Sequence, residues 1–88
     1  MTGAEAAGTR LKRLRIRSWR RGIREMDLIL GGFFDRAGAQ LSTAELDLYE
    51  ALLEENDHDI YQWFAGSAAP PETYAGLIDR IAEARATG

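Results

Sequence analysis

Eighty-eight residues, 45% of them hydrophobic, can build one core but are too few for two ordinary domains or a large self-contained enzyme. Eleven Lys and Arg against 14 Asp and Glu give a formal net charge of -3, which does not fit a disordered acidic tail, and no cysteine is present to form a disulfide framework or a thiolate zinc site. No window approaches the roughly 18 to 20 apolar residues of a membrane span, and no apolar h-region opens the chain, so an intracellular protein is expected.

Residues 1-9 are small and polar and are expected to form a flexible N-terminal segment. From Arg10 onward, Leu11, Leu14 and Ile16 or Trp19 recur near helical spacing, predicting a short helix that ends before Gly22. Its arginines form a basic arm: Arg10, Lys12, Arg13, Arg15, Arg17, Arg20, Arg21 and Arg24 are 8 of the 11 basic residues and have no acid among them. Gly22 suits a helix C′ position or a tight corner, because it takes positive φ without a Cβ clash.

A second helix is predicted from Ile23, with Glu25 and Asp27 placing negative charge against the positive end of the helix dipole. Ile23, Met26, Leu30, Phe33 and Ala37 form its apolar stripe, broadened by Ile29 and Phe34. Gly31 and Gly32 each cost about 1 kcal/mol of helix propensity and are expected to admit close packing of another helix. The segment closes at Gly38 and the polar residues around Gln40.

Ser42-Thr43-Ala44-Glu45 has the pattern of a capping box and predicts a third helix. Leu46, Tyr49, Leu52 and Leu53 are its buried stripe and its acids face outward. Glu45, Asp47, Glu50, Glu54, Glu55, Asp57 and Asp59 are 7 of the 14 acids, with no Lys or Arg between them. Asn56 or Asp57 offers an N-cap for a short fourth helix, Asp59 to Phe64, that stops at Gly66. Pro70-Pro71 interrupts any continuous helix, yet Pro71 is acceptable at the first position of a fifth, with Glu72 in its first turn and Tyr74, Leu77, Ile78 and Ile81 on its apolar face. No segment alternates like a strand and no internal repeat is present. The expectation is an all-α fold, a compact single-domain bundle of about five short helices over residues 10-86.

The inventory of catalytic groups is thin. His58 is the only histidine, and in Asp57-His58-Asp59 neighbouring side chains point about 100° apart on a helix, so they read as surface caps before they read as metal ligands. Gly31-Gly32 lacks the strand and Lys-Ser or Lys-Thr of a phosphate loop, and no hydroxyl nucleophile has a base beside it. Trp63 and Phe64 read as core. The basic arm and the acidic middle produce a dipole that either orients a partner or pairs within the fold. The arm could also grip nucleic acid, or serve as an Arg-rich presequence, but the rest of the chain repels a polyanion and nine residues including Glu5 precede it; pairing or solvation is favoured.

The densest constellation is Arg20-Arg21-Gly22-Ile23-Arg24-Glu25-Met26-Asp27. A glycine at a helix junction flanked by Arg and Glu can form a docking surface. Equally, Gly22 can end one helix and Glu25 cap the next with no partner. The residue types alone leave both open.

These residues resemble a known family, the small all-helical assembly factors that promote covalent FAD attachment to the flavoprotein subunit of succinate dehydrogenase and fumarate reductase. The family carries Arg-Gly-x-x-Glu followed by Asp, matched by Arg21-Gly22-Ile23-Arg24-Glu25-Met26-Asp27. A second block is similar too: Leu41-Ser42, Glu45-Leu46, Tyr49-Glu50, Leu52-Leu53-Glu54, and Asp57 through Gly66, with a proline soon after. Tyr49 stands where Phe is common, Ile60 and Phe64 stand where Leu is usual, and Arg24 puts a charge at a variable position. The resemblance implies an accessory factor rather than an enzyme, with no catalytic residue, cofactor or metal of its own. FAD would be the client's cofactor, joined through its 8α-methyl to the client's own histidine. Arg20, Arg21, Gly22, Arg24, Glu25 and Asp27 would bind the flavoprotein, with no nucleic-acid or membrane partner and a monomeric free state. Such a chain would be cytoplasmic in a bacterium, or in the mitochondrial matrix if eukaryotic. The alternative is a small helical nucleic-acid-binding or regulatory module that uses the Arg-rich first helix.

Overall fold

The computed structural model describes residues 7 to 87, and these are helical apart from the connections: α1 (Ala7–Trp19), α2 (Arg24–Ala37), a 3-10 turn (Gly38–Gln40), α3 (Thr43–Leu53), α4 (Asp57–Ala65) and α5 (Glu72–Thr87). The expected all-α bundle of five helices is what forms. Residues 1 to 6 of the segment expected to be flexible lie outside the described residues, while 7 to 9 form the first turn of α1. Hydrophobic periodicity could not mark that turn, because Ala7, Gly8 and Thr9 carry nothing large.

The start and stop signals act as their chemistry requires. Ser42 Oγ accepts from the Glu45 amide at 3.1 Å and Glu45 Oε1 accepts from the Ser42 amide at 2.8 Å, closing the capping box of α3. That bond to the Ser42 amide is also the main reason the Glu45 carboxyl titrates below its ordinary range. Asn56, not Asp57, caps α4, its Oδ1 accepting from the His58 amide at 2.8 Å. This cap lets α4 begin at Asp57, two residues before the predicted start. Gly66, with φ 79°, ends it in the left-handed region. Pro71 stands just before α5, where its carbonyl accepts from the Tyr74 amide at 2.9 Å. Similarly, Ile23 is the N-cap of α2 rather than its first residue.

The core collects the predicted stripes: Met26, Ile29, Leu30, Phe33 and Phe34 of α2 meet Leu14, Tyr49, Leu52, Leu53, Ile60 and the α5 set Tyr74, Leu77, Ile78 and Ile81. Trp63 and Phe64 pack on this core half-buried, with Trp63 stacked on Tyr74 at 6.0 Å between centroids. Tyr49 is fully buried beside Phe34 and Phe33, with ring centroids 5.1 and 5.9 Å away. Its hydroxyl lies 2.6 Å from Ser18 Oγ and 3.2 Å from the Leu30 carbonyl oxygen, and Ser18 in turn reaches the Leu14 carbonyl at 2.7 Å. A tyrosine therefore fits here without an unsatisfied polar atom, and burial pushes its hydroxyl well above the ordinary range.

The two adjacent glycines of α2 are not equivalent. A Cβ on Gly31 would land within the indole of Trp19, 2.8 Å from Cε3, whereas one on Gly32 would meet nothing within 4 Å. Close packing thus occurs at Gly31 only, against a side chain of α1. Gly31→Ala is expected to displace the indole and lower stability by about 1–2 kcal/mol net of its gain in helix propensity. Gly32→Ala should raise stability by about 0.5–1 kcal/mol. Urea titration of the two variants followed at 222 nm checks the opposite signs.

The charge segregation resolves into pairing. Arg10 contacts Asp47 at 2.7 Å and Glu50 at 3.1 Å, Arg13 contacts Glu50 at 2.9 Å, and Arg17 bonds to Glu54. The basic α1 therefore lies along the acidic α3. The Arg13 hydrogen bond, ahead of the nearby positive charges, holds the Glu50 carboxyl below its ordinary value of 4.5 despite partial desolvation. A carboxyl with a lowered folded pKa contributes stability above its unfolded pKa and loses it as pH falls through the folded value. Stability is thus expected to be level above about pH 5 and to fall below it. Glu50→Gln should make that acid limb shallower in thermal melts recorded between pH 3 and 7.

Candidate functional site

The Arg20-to-Asp27 constellation forms the corner between α1 and α2, and the structure divides its residues into two groups. Arg21 and Asp27 turn inward. The Arg21 guanidinium, only 10% exposed, crosses to the corner between α3 and α4. There its Nε and Nη2 reach Asp57 Oδ1 at 2.8 and 2.7 Å, Nη1 donates to the Leu53 carbonyl at 2.6 Å and Nη2 donates to the Glu55 carbonyl at 3.1 Å. Leu53 is the last residue of α3, whose terminal carbonyls have no partner within the helix. One planar, multi-donor group thereby closes the end of α3 and fixes the start of α4. Glu55 extends the connection, its Oε2 accepting from Tyr74 of α5 at 3.1 Å.

Asp27 Oδ1 accepts from the Arg21 backbone amide at 2.7 Å, and the Asp27 amide donates to the Ile23 carbonyl at 3.0 Å. Glu25 does not cap α2, whose N-cap Ile23 has no side-chain hydrogen bond; Asp27 instead folds back over the turn and ties it to the Arg21 amide. Gly22 takes φ 91° to make that turn. A Cβ there would meet open space, so its replacement is resisted by the left-handed backbone, at roughly 1–2 kcal/mol, and not by a clash.

Arg20, Gly22, Arg24 and Glu25 face outward. The Arg20 and Arg24 guanidinium groups make no hydrogen bond or ion pair with the described residues. Glu25 has only a distant ion pair with Arg85 at 3.7 Å, both side chains being more than half exposed. It stands on the rim of an open recess between α2 and α5 of about 320 Å³, lined also by Leu28, Gly32 and Ile81. The corner therefore presents exposed charge of both signs on a backbone held from beneath.

The remaining candidates do not gather at this corner. His58 is exposed on the first turn of α4 while Asp57 is engaged by Arg21, and no group of three or more His, Asp and Glu side chains among the described residues is placed to hold a metal. Gly31-Gly32 lies inside α2, where the helix engages the backbone amides that a dinucleotide phosphate would need. Arg10, Arg13 and Arg17 are matched to α3 carboxylates. No described helix is long and apolar enough to cross a membrane. The Arg21 clamp was not visible in the motif, since its acceptors include two backbone carbonyls more than 30 positions away. The only signal for it was Asp57 beside the Asn56 cap.

Comparison with known proteins assigns the chain. The family described as Sdh5, flavinator of succinate dehydrogenase, matches residues 12–85. The chain is 34% identical over 65 residues to the FAD assembly factor SdhE of Aliivibrio fischeri, covering 73% of this chain and 76% of that protein. Against the SdhE of Francisella tularensis it is 33% identical over 64 residues, covering 73% and 67%. It is 44% identical over 59 residues to the mitochondrial succinate dehydrogenase assembly factor 2 of Candida glabrata, covering 67% of this chain and 39% of that protein. The chain thus spans less than half the length of that fungal relative. No solved structure matches it significantly. With a family match running through both motif blocks and nearly the whole helical bundle, the chain belongs to the Sdh5 family, the flavinators of succinate dehydrogenase.

Proposed function

We propose that this protein is an assembly factor that binds the flavoprotein subunit of succinate dehydrogenase, and of fumarate reductase where present, and promotes its covalent flavinylation. The observation that carries this reading is the α1–α2 corner: Arg20, Gly22, Arg24 and Glu25 are displayed to solvent while Arg21 and Asp27 hold the turn. The first group meets the client and the second keeps it in position. FAD belongs to the client; in an autocatalytic step the 8α carbon loses a proton, the electron pair of that C–H bond passes into the flavin ring, and the client's own histidine nitrogen bonds the carbon, leaving the ring reduced. The factor contributes by holding the client in a competent arrangement, which accelerates a reaction by pre-orienting groups already present. It acts as a monomer, in the bacterial cytoplasm or the mitochondrial matrix according to where the client folds.

The test is in-gel flavin fluorescence of the isolated flavoprotein subunit, incubated with FAD with and without this protein. Faster appearance of covalent flavin is expected, and an unchanged rate under limiting conditions sinks the proposal.

A further inference from the structure

Among the described residues nothing packs over the outer side of α1. Lys12, Arg15, Ile16, Trp19 and Arg20 follow one another at helical spacing on one side of α1, whereas Leu14 and Ser18 face the core and Arg10, Arg13 and Arg17 face α3. Ile16 is 45% and Trp19 37% exposed, and the five residues line an open cleft of about 290 Å³. The indole is pre-positioned. The Trp19 ring lies over Gly31, its Nε1–H donates to Asp35 Oδ2 at 3.2 Å, and Asp35 Oδ1 lies 3.2 Å from Arg15 Nε. Asp35 thereby fixes the indole and partly neutralises Arg15. Lys12 and Arg20, at the two ends, have no acidic partner among the described residues.

We infer that this face is a second part of the docking surface, continuous with the α1–α2 corner through Arg20, and that it receives an acidic segment of the client flavoprotein. An apolar side chain of that segment inserts between Ile16 and Trp19 while its carboxylates meet Lys12 and Arg20. The inference rests on the assembly-factor reading. Charge complementarity selects the occupant: two cations with no acidic partner among the described residues flank a fixed aromatic anchor, the composition of an interface hot spot with a charged rim. Lys12 and Arg20 are eight positions apart, about 12 Å at the helical rise, the length of roughly four extended residues. A nucleic-acid backbone suits the face less well, because Asp35 lies on it, Ile16 offers phosphate nothing, and the α3 carboxylates line the neighbouring flank of α1.

The experiment measures the dissociation constant of the full-length protein for the purified flavoprotein subunit of succinate dehydrogenase by biolayer interferometry. Lys12→Glu and Ile16→Glu, both at exposed positions, are each expected to weaken binding at least tenfold with an unchanged circular-dichroism melt. If Ile16→Glu lowers the melt, Lys12→Glu alone decides. Binding within twofold of wild type for Lys12→Glu, with Glu25→Ala still impaired, overturns the inference and leaves the assembly-factor reading standing. Failure of the wild-type protein to bind overturns both. Wild-type binding of a 30-base-pair DNA duplex at physiological salt that Lys12→Glu abolishes overturns it in favour of a nucleic-acid partner.

Discussion

Arg21→Ala is expected to be among the most destabilising single substitutions in this protein, although the residue belongs to a motif that reads equally as a docking surface. Its removal strips Asp57 of the cation beside it and leaves the Leu53 and Glu55 carbonyls without the donor they now share. Asp57 is only 16% exposed, so the stranded carboxylate is poorly rehydrated. Loss of one partner from such a network costs about 3 kcal/mol, a large fraction of the stability of a small domain. For a chain of this size the melting temperature should fall by roughly 15 °C. Arg21→Lys should recover only part of this, because a single ammonium cannot reproduce the planar fork that reaches a carboxylate and two carbonyls together. Melts of Arg21→Ala, Asp57→Ala and the double variant measure the coupling directly. Additive effects would show that the clamp contributes nothing specific.

Glu25→Ala should behave in the opposite way. The carboxylate is about half exposed, and among the described residues its one ion pair is the 3.7 Å contact with Arg85. Exposed pairs of this kind contribute at most about 1 kcal/mol, so the melt should stay nearly unchanged. The rate of covalent flavin formation on the client should nevertheless fall at least about tenfold, the effect of losing one well-placed interface contact. Arg85→Ala provides the control, since it breaks the same ion pair while sparing the corner. Full flavinylation with Arg85→Ala and loss with Glu25→Ala would locate the contribution in the client contact. A Glu25→Ala protein that flavinylates normally would remove Glu25 from the docking surface.

The contrast between these two variants separates readings that the motif by itself left open. Arg-Gly-x-x-Glu could be a docking surface or a pair of helix ends, and the fold turns some of its residues inward and others outward. Arg21 and Asp27 hold the structure together, while Glu25 remains available. Local chemistry could not make that division, because the acceptors of Arg21 are supplied by Leu53, Glu55 and Asp57. Likewise, Asp27 rather than Glu25 closes the turn because the positive φ of Gly22 swings the Arg21 amide toward it. Gly31 and Gly32 are indistinguishable as letters, and only the position of Trp19 makes one of them necessary.

The sequence by itself determined the all-α class, the helix order and most of the core. Those features depend on interactions within one helical turn or on the spacing of apolar residues along a single helix. The Ser42–Glu45 box, the Asn56 cap, the glycine stop at Gly66 and the break at Pro70-Pro71 are all of this local kind. The net charge of -3 was uninformative until the helices were placed. Tertiary structure decided that Arg10, Arg13 and Arg17 pair with α3, that Lys12 and Arg20 do not pair among the described residues, and that Arg21 points inward. The physical reason is that an ion pair is set by distance in space, and residues separated by more than 30 positions come within 3 Å only after the apolar faces have chosen how the helices pack.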